Sequence, residues 1–245
     1  MKAIILAAGY GTRMYPLTIN CAKALLPIGK RKALDFIAEK ISSNFFDEII
    51  IVSNNKFCAD FEKWKKETKS KIKITILNNG TNSSEEAKGV TKDLALGLEN
   101  VSDDFLVISS DNIFGFDLNK MAAEFIKLNK KPLIAVTDIK DKEKAKRHGI
   151  VELDGNKIKS FEEKPIQPKS TIKSILCYIL PQSTKQIVQE LLTSGKNEHL
   201  LERIFSKESV FAFPFEEYCH DIGNIEDYNK ICKIFGEQKN PNKSV

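Results

Sequence analysis

The stretch that decides the fold runs from residue 3 to residue 13, Ala3-Ile4-Ile5-Leu6-Ala7-Ala8-Gly9-Tyr10-Gly11-Thr12-Arg13. Its first half is apolar without polar alternation, which is typical of a strand in a parallel sheet with both faces covered by helices. Its second half is a glycine-rich turn, where main-chain N–H groups can approach a phosphate or a base edge. Thr12 adds a hydroxyl, and Arg13 adds a guanidinium whose planar shape matches phosphate oxygens. The stretch therefore predicts a strand that leads into a polyphosphate-binding turn.

The spacing of the two glycines is by itself a weak indication, since a Gly-x-Gly turn after a strand is often only a tight connection. Two better-known phosphate-binding loops do not fit this sequence. The dinucleotide fingerprint needs another glycine where Met14 stands, and the Gly-Lys-Ser/Thr end of a P-loop is absent. A second cation, Lys23, follows ten residues after Arg13 in a loop punctuated by prolines, and it strengthens the interpretation as a phosphate-binding loop.

Beyond this loop, apolar runs alternate with helical patterns, which predicts an α/β sheet with helices on both faces. Later in the chain the pattern shifts toward short strands, and we expect that half to bind the acceptor. Predicted strands cover residues 48–53, 72–77, 105–110, 132–136, 150–153, 158–161, 172–180 and 210–215, and predicted helices cover 33–43, 57–69, 90–99, 118–128 and 225–235.

An acidic residue, Asp111, stands at the carboxyl end of the predicted strand 105–110. Ligands bind at this end of the strands in open α/β sheets. Mg²⁺ prefers a few carboxylates together with water and substrate phosphates, so Asp111 is a candidate metal ligand. The alternative is a helix cap, but Asp117 stands closer to the next predicted helix and fits that role better.

The neighbouring residues Glu163 and Lys164 suit a sugar phosphate as ligand. The carboxylate can accept hydrogen bonds from hydroxyl groups, and the ammonium can pair with a phosphate. On residue types alone, an exposed ion pair of little energetic consequence is the simpler explanation. Residues 154–156, Asp-Gly-Asn, read as a hairpin turn between two of the short strands ahead of this pair.

A long string over residues 6–35, LAAGYGTRMYPLTINCAKALLPIGKRKALD, resembles the N-terminal signature of the sugar-1-phosphate nucleotidyltransferases. This family of nucleotide-sugar pyrophosphorylases includes the glucose-1-phosphate thymidylyltransferases and their uridylyl and mannose-linked relatives. Ala22 stands where many members have proline, whereas the charged residue of the motif, Lys23, is in place.

Further motifs continue the resemblance in the same order along the chain. Ser110-Asp111-Asn112 is similar to a Gly-Asp-Asn motif of the family, with serine replacing the glycine. Gly149 and the run Phe161-Glu162-Glu163-Lys164-Pro165 are similar to a glycine and a Glu-Lys-Pro motif. Asp221-Ile222-Gly223-Asn224 is similar to the family's Asp-Ile-Gly-Thr. Without the resemblance, Asp221 would be assigned to a turn, with Asn224 as the N-cap of the last helix.

The resemblance implies a Rossmann-like, mixed and mainly parallel sheet with helices on both faces, the nucleotide-diphospho-sugar transferase fold. We expect a single domain over residues 1–236, with a nucleotide-binding half over about 1–130 and a sugar-phosphate-binding half over about 131–236. The polar tail, 237–245, is expected to be frayed. The chain is too short for the β-helix of longer members, so a monomer or a small homo-oligomer through the catalytic domain is expected.

The resemblance also implies a Mg²⁺-dependent transfer from a nucleoside triphosphate to a sugar-1-phosphate. Arg13, Lys23 and Asp111 are the predicted catalytic residues, and Asp111 and Asp221 are the predicted metal ligands. The predicted nucleotide-binding residues are Leu6, Ala8, Gly9, Gly11, Thr12, Arg13, Lys23, Asn79 and Gly80. The predicted sugar-phosphate-binding residues are Asn112, Gly149, Glu163 and Lys164.

The segment expected to bind the base, residues 78–89, has neither the Gln-x-x-x-Gly-Leu-Ala nor the Pro-Leu-Gly-Thr-Ala-Gly pattern of the family. The backbone N–H groups of Gly80 and Thr81 are candidates for contacting a base edge, and overall resemblance favours a pyrimidine triphosphate, dTTP or UTP. One alternative is a cytidylyltransferase for a non-sugar phosphate such as phosphocholine, which would favour aromatic residues over Glu163 and Lys164. Another is a regulatory paralogue without activity, which typically loses one of the charged motif residues.

Composition excludes several other classes of protein. The net charge is +5, but the lysines are spread through amphipathic segments without a long basic block, so no nucleic-acid partner is expected. No run approaches the roughly twenty apolar residues of a membrane helix, which predicts a cytoplasmic protein without a membrane partner. The five cysteines show no paired Cys-x-x-Cys spacing, so neither a disulfide framework nor a zinc site is expected.

Overall fold

The computed structural model describes residues 1–194 and 200–236, so the predicted tail lies outside the described residues. Within them, the strands are β1 Lys2–Leu6, β2 Pro27–Ile28, β3 Arg31–Lys32, β4 Glu48–Ser53, β5 Lys73–Asn78, β6 Phe105–Ser109, β7 Asn112–Phe114, β8 Leu133–Asp138, β9 Gly149–Asp154, β10 Lys157–Glu163, β11 Ile172–Leu180, β12 Phe211–Pro214 and β13 Cys219–Asp221. The helices are α1 Ala33–Ala38, α2 Cys58–Glu67, α3 Val90–Leu98, α4 Leu118–Lys127, α5 Lys142–Ala145, α6 Thr184–Ser194, α7 Leu200–Lys207 and α8 Ile225–Gly236.

The main sheet of the described residues contains nine strands in the order β5-β4-β1-β6-β11-β8-β12-β10-β9. β1 pairs in parallel with β4 and β6, and β4 pairs in parallel with β5. β11 is antiparallel to β6 and β8, and β10 is antiparallel to β9 and β12. The other seven strands run in one direction, since β12 is parallel to β8. The predicted mixed, mainly parallel sheet is confirmed.

The first strand lies in the middle of the parallel part and is buried on both faces, as predicted. Ala3 and Ile5 pack into one hydrophobic cluster, with residues of α1, α2 and α4. Ile4 points to the opposite face and packs into a second cluster, with residues of α3, α6 and α7. Helices therefore cover both faces of the sheet, which is why this strand has no polar positions.

Local signals at helix ends and turns are confirmed as well. Asp117 caps α4 by accepting a hydrogen bond from the Asn119 backbone N–H, and the Asn224 side chain accepts one from the Asp227 N–H at the start of α8. β9 and β10 form the predicted hairpin, with Gly155 in its turn at φ 60°. None of the described helices is long and apolar enough to cross a membrane.

The sequence interpretation missed several elements. Helix α1 ends at Ala38 instead of residue 43, because the N–H groups of Lys40 and Ile41 bond three residues back, to Ile37 and Ala38. The three helices α5, α6 and α7 were not predicted. Strands β7 and β13 were not predicted either, since each has three residues and they pair only with each other among the described strands.

Candidate active site

The glycine turn after β1 leaves an open surface beside a constrained backbone. Gly11 adopts φ 62° and ψ 34°, and a Cβ atom there would lie 3.2 Å from the Thr18 Cγ2 atom. The Thr18 hydroxyl donates a hydrogen bond of 2.7 Å to the Gly11 carbonyl oxygen, which holds this arrangement. At Gly9, in contrast, an added Cβ atom would meet nothing within 4 Å. Gly11 is therefore required by the loop itself, whereas Gly9 keeps the space above the turn free.

Lys23 and Asp111 form an ion pair at the carboxyl end of the parallel strands. The Lys23 Nζ atom lies 2.5 Å from the Asp111 Oδ2 atom. The Ser109 hydroxyl and the Asn112 Nδ2 atom both donate to the other oxygen, Oδ1. Burial by itself raises the pKa of Asp111, but the charge of Lys23 and the hydrogen bonds of this carboxylate outweigh it. The pKa of Asp111 is therefore lowered, and the group is a carboxylate at neutral pH.

A two-stranded ladder brings Asp221 beside Asp111, although the two residues are far apart in sequence. Asp221 of β13 is the register partner of Asn112 of β7. The Ile222 N–H donates a hydrogen bond of 2.8 Å to the Asp111 carbonyl oxygen and extends this contact. The Asp221 carboxylate accepts a hydrogen bond from Lys173 of β11, a residue that the sequence analysis did not identify.

Two cavities meet at Asp111. The smaller, of about 220 Å³, is lined by Asp111 and by five of the predicted nucleotide-binding residues, Leu6, Ala8, Gly9, Lys23 and Asn79. The larger, of about 950 Å³, is lined by Asp111 and Arg13 and by the predicted acceptor and metal residues Asn112, Gly149, Glu163, Lys164 and Asp221. Ser109, Asp111 and Leu176 line both cavities. The remaining predicted residues, Gly11, Thr12 and Gly80, line neither of these two cavities.

The register of the β9–β10 hairpin places Gly149 opposite Glu163. A Cβ atom on Gly149 would lie 2.7 Å from the Phe161 Cε2 atom and 3.0 Å from the Glu163 Oε2 atom, so glycine makes room for these side chains. Lys164 has a φ of 48° and its Nζ atom lies 3.4 Å from the Glu163 carboxylate. A left-handed backbone at a residue other than glycine costs about 1 kcal/mol or more, and such residues cluster at functional sites.

The segment expected to bind the base is held by its own side chains. The Gly80 and Thr81 N–H groups donate to the side-chain oxygens of Asn78 and Asn79, so both already have partners. The Asn79 side chain also donates to Asp93, which lines the smaller cavity. Burial raises the pKa of Asp93, although the hydrogen bond from Asn79 and the charge of Lys88 act in the opposite direction. Lys88 belongs to the segment expected to bind the base, whereas Asp93 lies beyond it and was not predicted.

The two aspartates have the donor chemistry that Mg²⁺ takes, which is one or two carboxylates with water and phosphate oxygens completing the coordination. Within the described residues, no group of three or more His, Cys, Asp or Glu side chains could hold a metal ion by itself. The pair therefore fits a magnesium ion that arrives with phosphate ligands. It does not fit a structural zinc centre, which needs four protein ligands.

Known sequences that match this chain belong to the nucleotidyltransferases. The sequence model of the nucleotidyl transferase family matches residues 2–237. The bifunctional protein GlmU of Methanocaldococcus jannaschii is 32% identical over 232 residues, which are 93% of this chain and 52% of GlmU. The glucose-1-phosphate adenylyltransferase of Clostridium novyi is 29% identical over 264 residues, covering 98% of this chain and 68% of that protein. The chain thus spans about half the length of GlmU.

Solved structures with the same fold cover nearly the whole chain. A candidate glucose-1-phosphate thymidylyltransferase from Bacillus anthracis, in complex with sucrose, has a TM-score of 0.85 at 22% identity and covers 98% of this chain and 97% of its own. A UDP-glucose pyrophosphorylase in complex with UDP-glucose has a TM-score of 0.82 at 20% identity and covers 97% of this chain and 99% of its own. At these identities, the likeness shows the nucleotide-diphospho-sugar transferase fold.

Proposed function

The chain belongs to the nucleotidyl transferase family, and we propose that it joins a nucleoside triphosphate and a sugar-1-phosphate to give a nucleotide-sugar and pyrophosphate. The observation that carries this proposal is the meeting of two cavities at Asp111. One cavity is lined by Gly9 and Lys23, and the other by Glu163 and Lys164. Two anionic substrates placed in these cavities would meet beside the same carboxylate.

The reaction needs no covalent intermediate on the protein. An oxygen of the sugar phosphate attacks the α-phosphorus of the nucleotide in line, and the bond to the departing pyrophosphate breaks. The protein mainly orients two anions and offsets their charge. In this mechanism, Lys23 contacts the α-phosphate and Lys164 contacts the acceptor phosphate. Arg13 would contact the departing β- and γ-phosphates, which requires the triphosphate to reach the larger cavity that Arg13 lines.

A divalent cation completes the charge balance in this proposal. Asp111 and Asp221 would hold Mg²⁺, which when bound withdraws charge from phosphate oxygens. Asp111 is suited to this role because its lowered pKa keeps it ionised. Its hydrogen bonds from Ser109 and Asn112 fix the direction of the carboxylate before any ligand arrives.

The nucleotide half of the reaction uses the predicted base segment. We favour a pyrimidine triphosphate, dTTP or UTP, on the overall resemblance to thymidylyl and uridylyl enzymes. Asn79, Lys88 and Asp93 line the smaller cavity beside this segment, and we assign the selection of the base to them. We propose that residues 1–130 mainly bind the nucleotide and residues 131–236 mainly bind the acceptor. Residues of the first half also line the larger cavity, namely Arg13, Ser109, Asp111 and Asn112, and Leu176 of the second half lines the smaller one.

A substrate panel tests the proposed reaction directly. Purified protein with Mg²⁺ is incubated with each nucleoside triphosphate against several sugar-1-phosphates and phosphocholine, and pyrophosphate release is measured. Release that needs both a nucleotide and one sugar phosphate supports the proposal and identifies the base and the sugar. Release with CTP and phosphocholine would replace it by the cytidylyltransferase alternative. Folded protein that binds nucleotide but releases no pyrophosphate with any pair would contradict both.

Gly149 offers a test of the acceptor cavity. In Gly149→Ala the new methyl group pushes against Phe161 and Glu163, so we expect the KM for the acceptor to rise about 10-fold with kcat nearly unchanged. Overpacking should cost about 1–3 kcal/mol of stability. Gly236→Ala is the matched control, because the nearest atom to its added Cβ lies at an ordinary 3.7 Å. An equal change in KM in the control variant would contradict this role of Gly149.

A further inference from the structure

Lys173 is a buried cation with no counterpart among the sequence motifs. Only 10% of its side chain is exposed, and its Nζ atom donates a hydrogen bond to the Asp221 carboxylate. Burying an ammonium group is costly unless it is paired, so Asp221 stabilises this position in the protein without ligands. The pair lies on the wall of the larger cavity, which both residues line.

An irregularity in β11 begins just after Lys173 and Ser174, where the strand passes along the larger cavity. Lys173 is the register partner of Ile150 in β9 and Thr137 in β8. Between Ser174 and Tyr178 the ladder shifts, so that four steps along β11 match two steps along β8, from Val136 to Ile134. Such bulges redirect side chains and are common beside active sites. The consecutive residues 173–176 all line the larger cavity.

The two predicted metal ligands are thus each neutralised by a lysine from a different cavity. Lys23, which lines the smaller cavity, pairs with Asp111, and Lys173, which lines the larger one, pairs with Asp221. The β7–β13 ladder joins the two pairs. In this arrangement, a phosphate that pairs with one of these lysines would compete with its aspartate, and the aspartate carboxylate would lose its ion pair.

The same wall of the larger cavity has an unused hydrogen-bond acceptor. The Asn112 Oδ1 atom is buried and has no partner, while its Nδ2 atom is fixed on Asp111. A buried acceptor without a partner costs free energy unless a ligand supplies a donor. A hydroxyl group of a polyol phosphate would supply that donor near Asp221, the register partner of Asn112.

Lys173 and Lys164 differ in how strongly each could hold a phosphate. The Lys164 side chain is 65% exposed, so solvent and salt screen its charge. Lys173 is nearly buried, and a charge at such a position interacts more strongly with a neighbouring anion.

We propose that Lys173 binds the phosphate of the acceptor, and that it pairs with Asp221 only until this phosphate arrives. The Lys173 ammonium group then pairs with the phosphate, and the released Asp221 carboxylate becomes available to a divalent cation. This inference rests on the proposed function. It adds to Lys164 a second cationic side chain that binds the acceptor phosphate. Because binding free energies are reciprocal, phosphate should raise the affinity for the cation, and the cation should raise the affinity for phosphate.

The test measures binding without turnover, using inorganic phosphate and Mn²⁺ as probes. Phosphate affinity is measured by calorimetry, and Mn²⁺ affinity by electron paramagnetic resonance with and without phosphate. In the unaltered protein, phosphate should raise Mn²⁺ affinity several-fold. Lys173→Met should bind phosphate at least 10-fold more weakly and bind Mn²⁺ more tightly in the absence of phosphate, and phosphate should no longer change its Mn²⁺ affinity. Lys2→Met is the matched control, a strand lysine 20% exposed and paired with Asp47 and Glu48.

A double variant keeps the test decisive if Lys173→Met fails to fold. Lys173→Met/Asp221→Asn removes both charges of the pair, so no unpaired charge is left buried. This variant should therefore fold and still lose phosphate binding. Phosphate affinity equal to that of the unaltered protein, in either variant, would show that Lys173 is only a counterion and overturn the inference.

The binding test and the substrate panel fail independently. Phosphate binding that depends on Lys173, without pyrophosphate release from any substrate pair, would reject the proposed function alone. Pyrophosphate release together with phosphate binding that does not depend on Lys173 would reject this inference alone.

Discussion

Replacing Lys23 by methionine is expected to lower kcat by about 10²–10³-fold, the usual effect of removing one preorganised group that stabilises transition-state charge. Methionine keeps the length and apolar stem of lysine, and it removes the ammonium that lies 2.5 Å from Asp111. The fold should remain, because Asp111 keeps its hydrogen bonds from Ser109 and Asn112. The measurement is steady-state pyrophosphate release, with circular dichroism to confirm folding.

The matched control is Lys30→Met, an exposed lysine between β2 and β3 that lines neither of the two cavities. Its turnover should equal that of the unaltered protein. Lys23→Arg should recover little activity, since a planar guanidinium does not reproduce the compact charge of an ammonium. Turnover of Lys23→Met within a few-fold of the unaltered protein would contradict a catalytic role for Lys23.

The same variant should change how stability depends on pH in the absence of metal. The pKa of Asp111 lies below its ordinary value of 3.8 in the folded protein. Its contribution is therefore present above the unfolded pKa and is lost as pH falls through the folded pKa. Lys23→Met removes the charge that lowers this pKa, so its deficit in unfolding free energy should be largest at neutral pH and shrink in acid. Urea titrations at several pH values measure this difference.

Replacing Asp111 by asparagine is the second change for which we expect a large effect, a fall in kcat of about 10³-fold. The amide keeps the size of the side chain but removes the negative charge that would hold Mg²⁺ against the phosphates, a contribution of several kcal/mol. Lys23 also loses its partner, so the lysine proposed to bind the α-phosphate is less well positioned. Turnover and Mn²⁺ binding in the presence of nucleotide measure the two consequences separately.

Asp117→Asn is the matched control for this substitution. Asp117 caps α4, and asparagine caps a helix about as well as aspartate, so both activity and stability should be preserved. If Asp111→Asn kept normal turnover and normal metal dependence, the metal role of Asp111 would be rejected. If it lost turnover but bound Mn²⁺ normally, Asp111 would act by positioning Lys23.

Much of the architecture follows from short-range patterns in the sequence. The apolar run Ala3–Leu6 predicts a strand with helices on both faces, and β1 is such a strand. Asp117 and Asn224 cap the helices that follow them, since capping depends on residues two or three positions away. Of the charged motif residues, Lys23 lines the smaller cavity, whereas Arg13 lines the larger one together with Glu163 and Lys164.

Other features were outside the reach of local patterns. The helices α6 and α7 and the three-residue strands β7 and β13 were not predicted. A strand of three residues has little local preference of its own and forms because its partner is held nearby by the rest of the fold. The β7–β13 ladder nevertheless decides that Asp221 lies beside Asp111.

The sequence by itself determined the family, the central strand, the glycine turn and the candidate charged residues Lys23, Asp111 and Asp221, but not Lys173. The tertiary structure alone decided how those charges are paired. Lys173 stands in an ordinary apolar strand sequence, and its place in the site comes from an ion pair with an aspartate on a different sheet. The physical reason is that strand and turn preferences act between near neighbours, whereas an ion pair depends on which distant segments packing brings together.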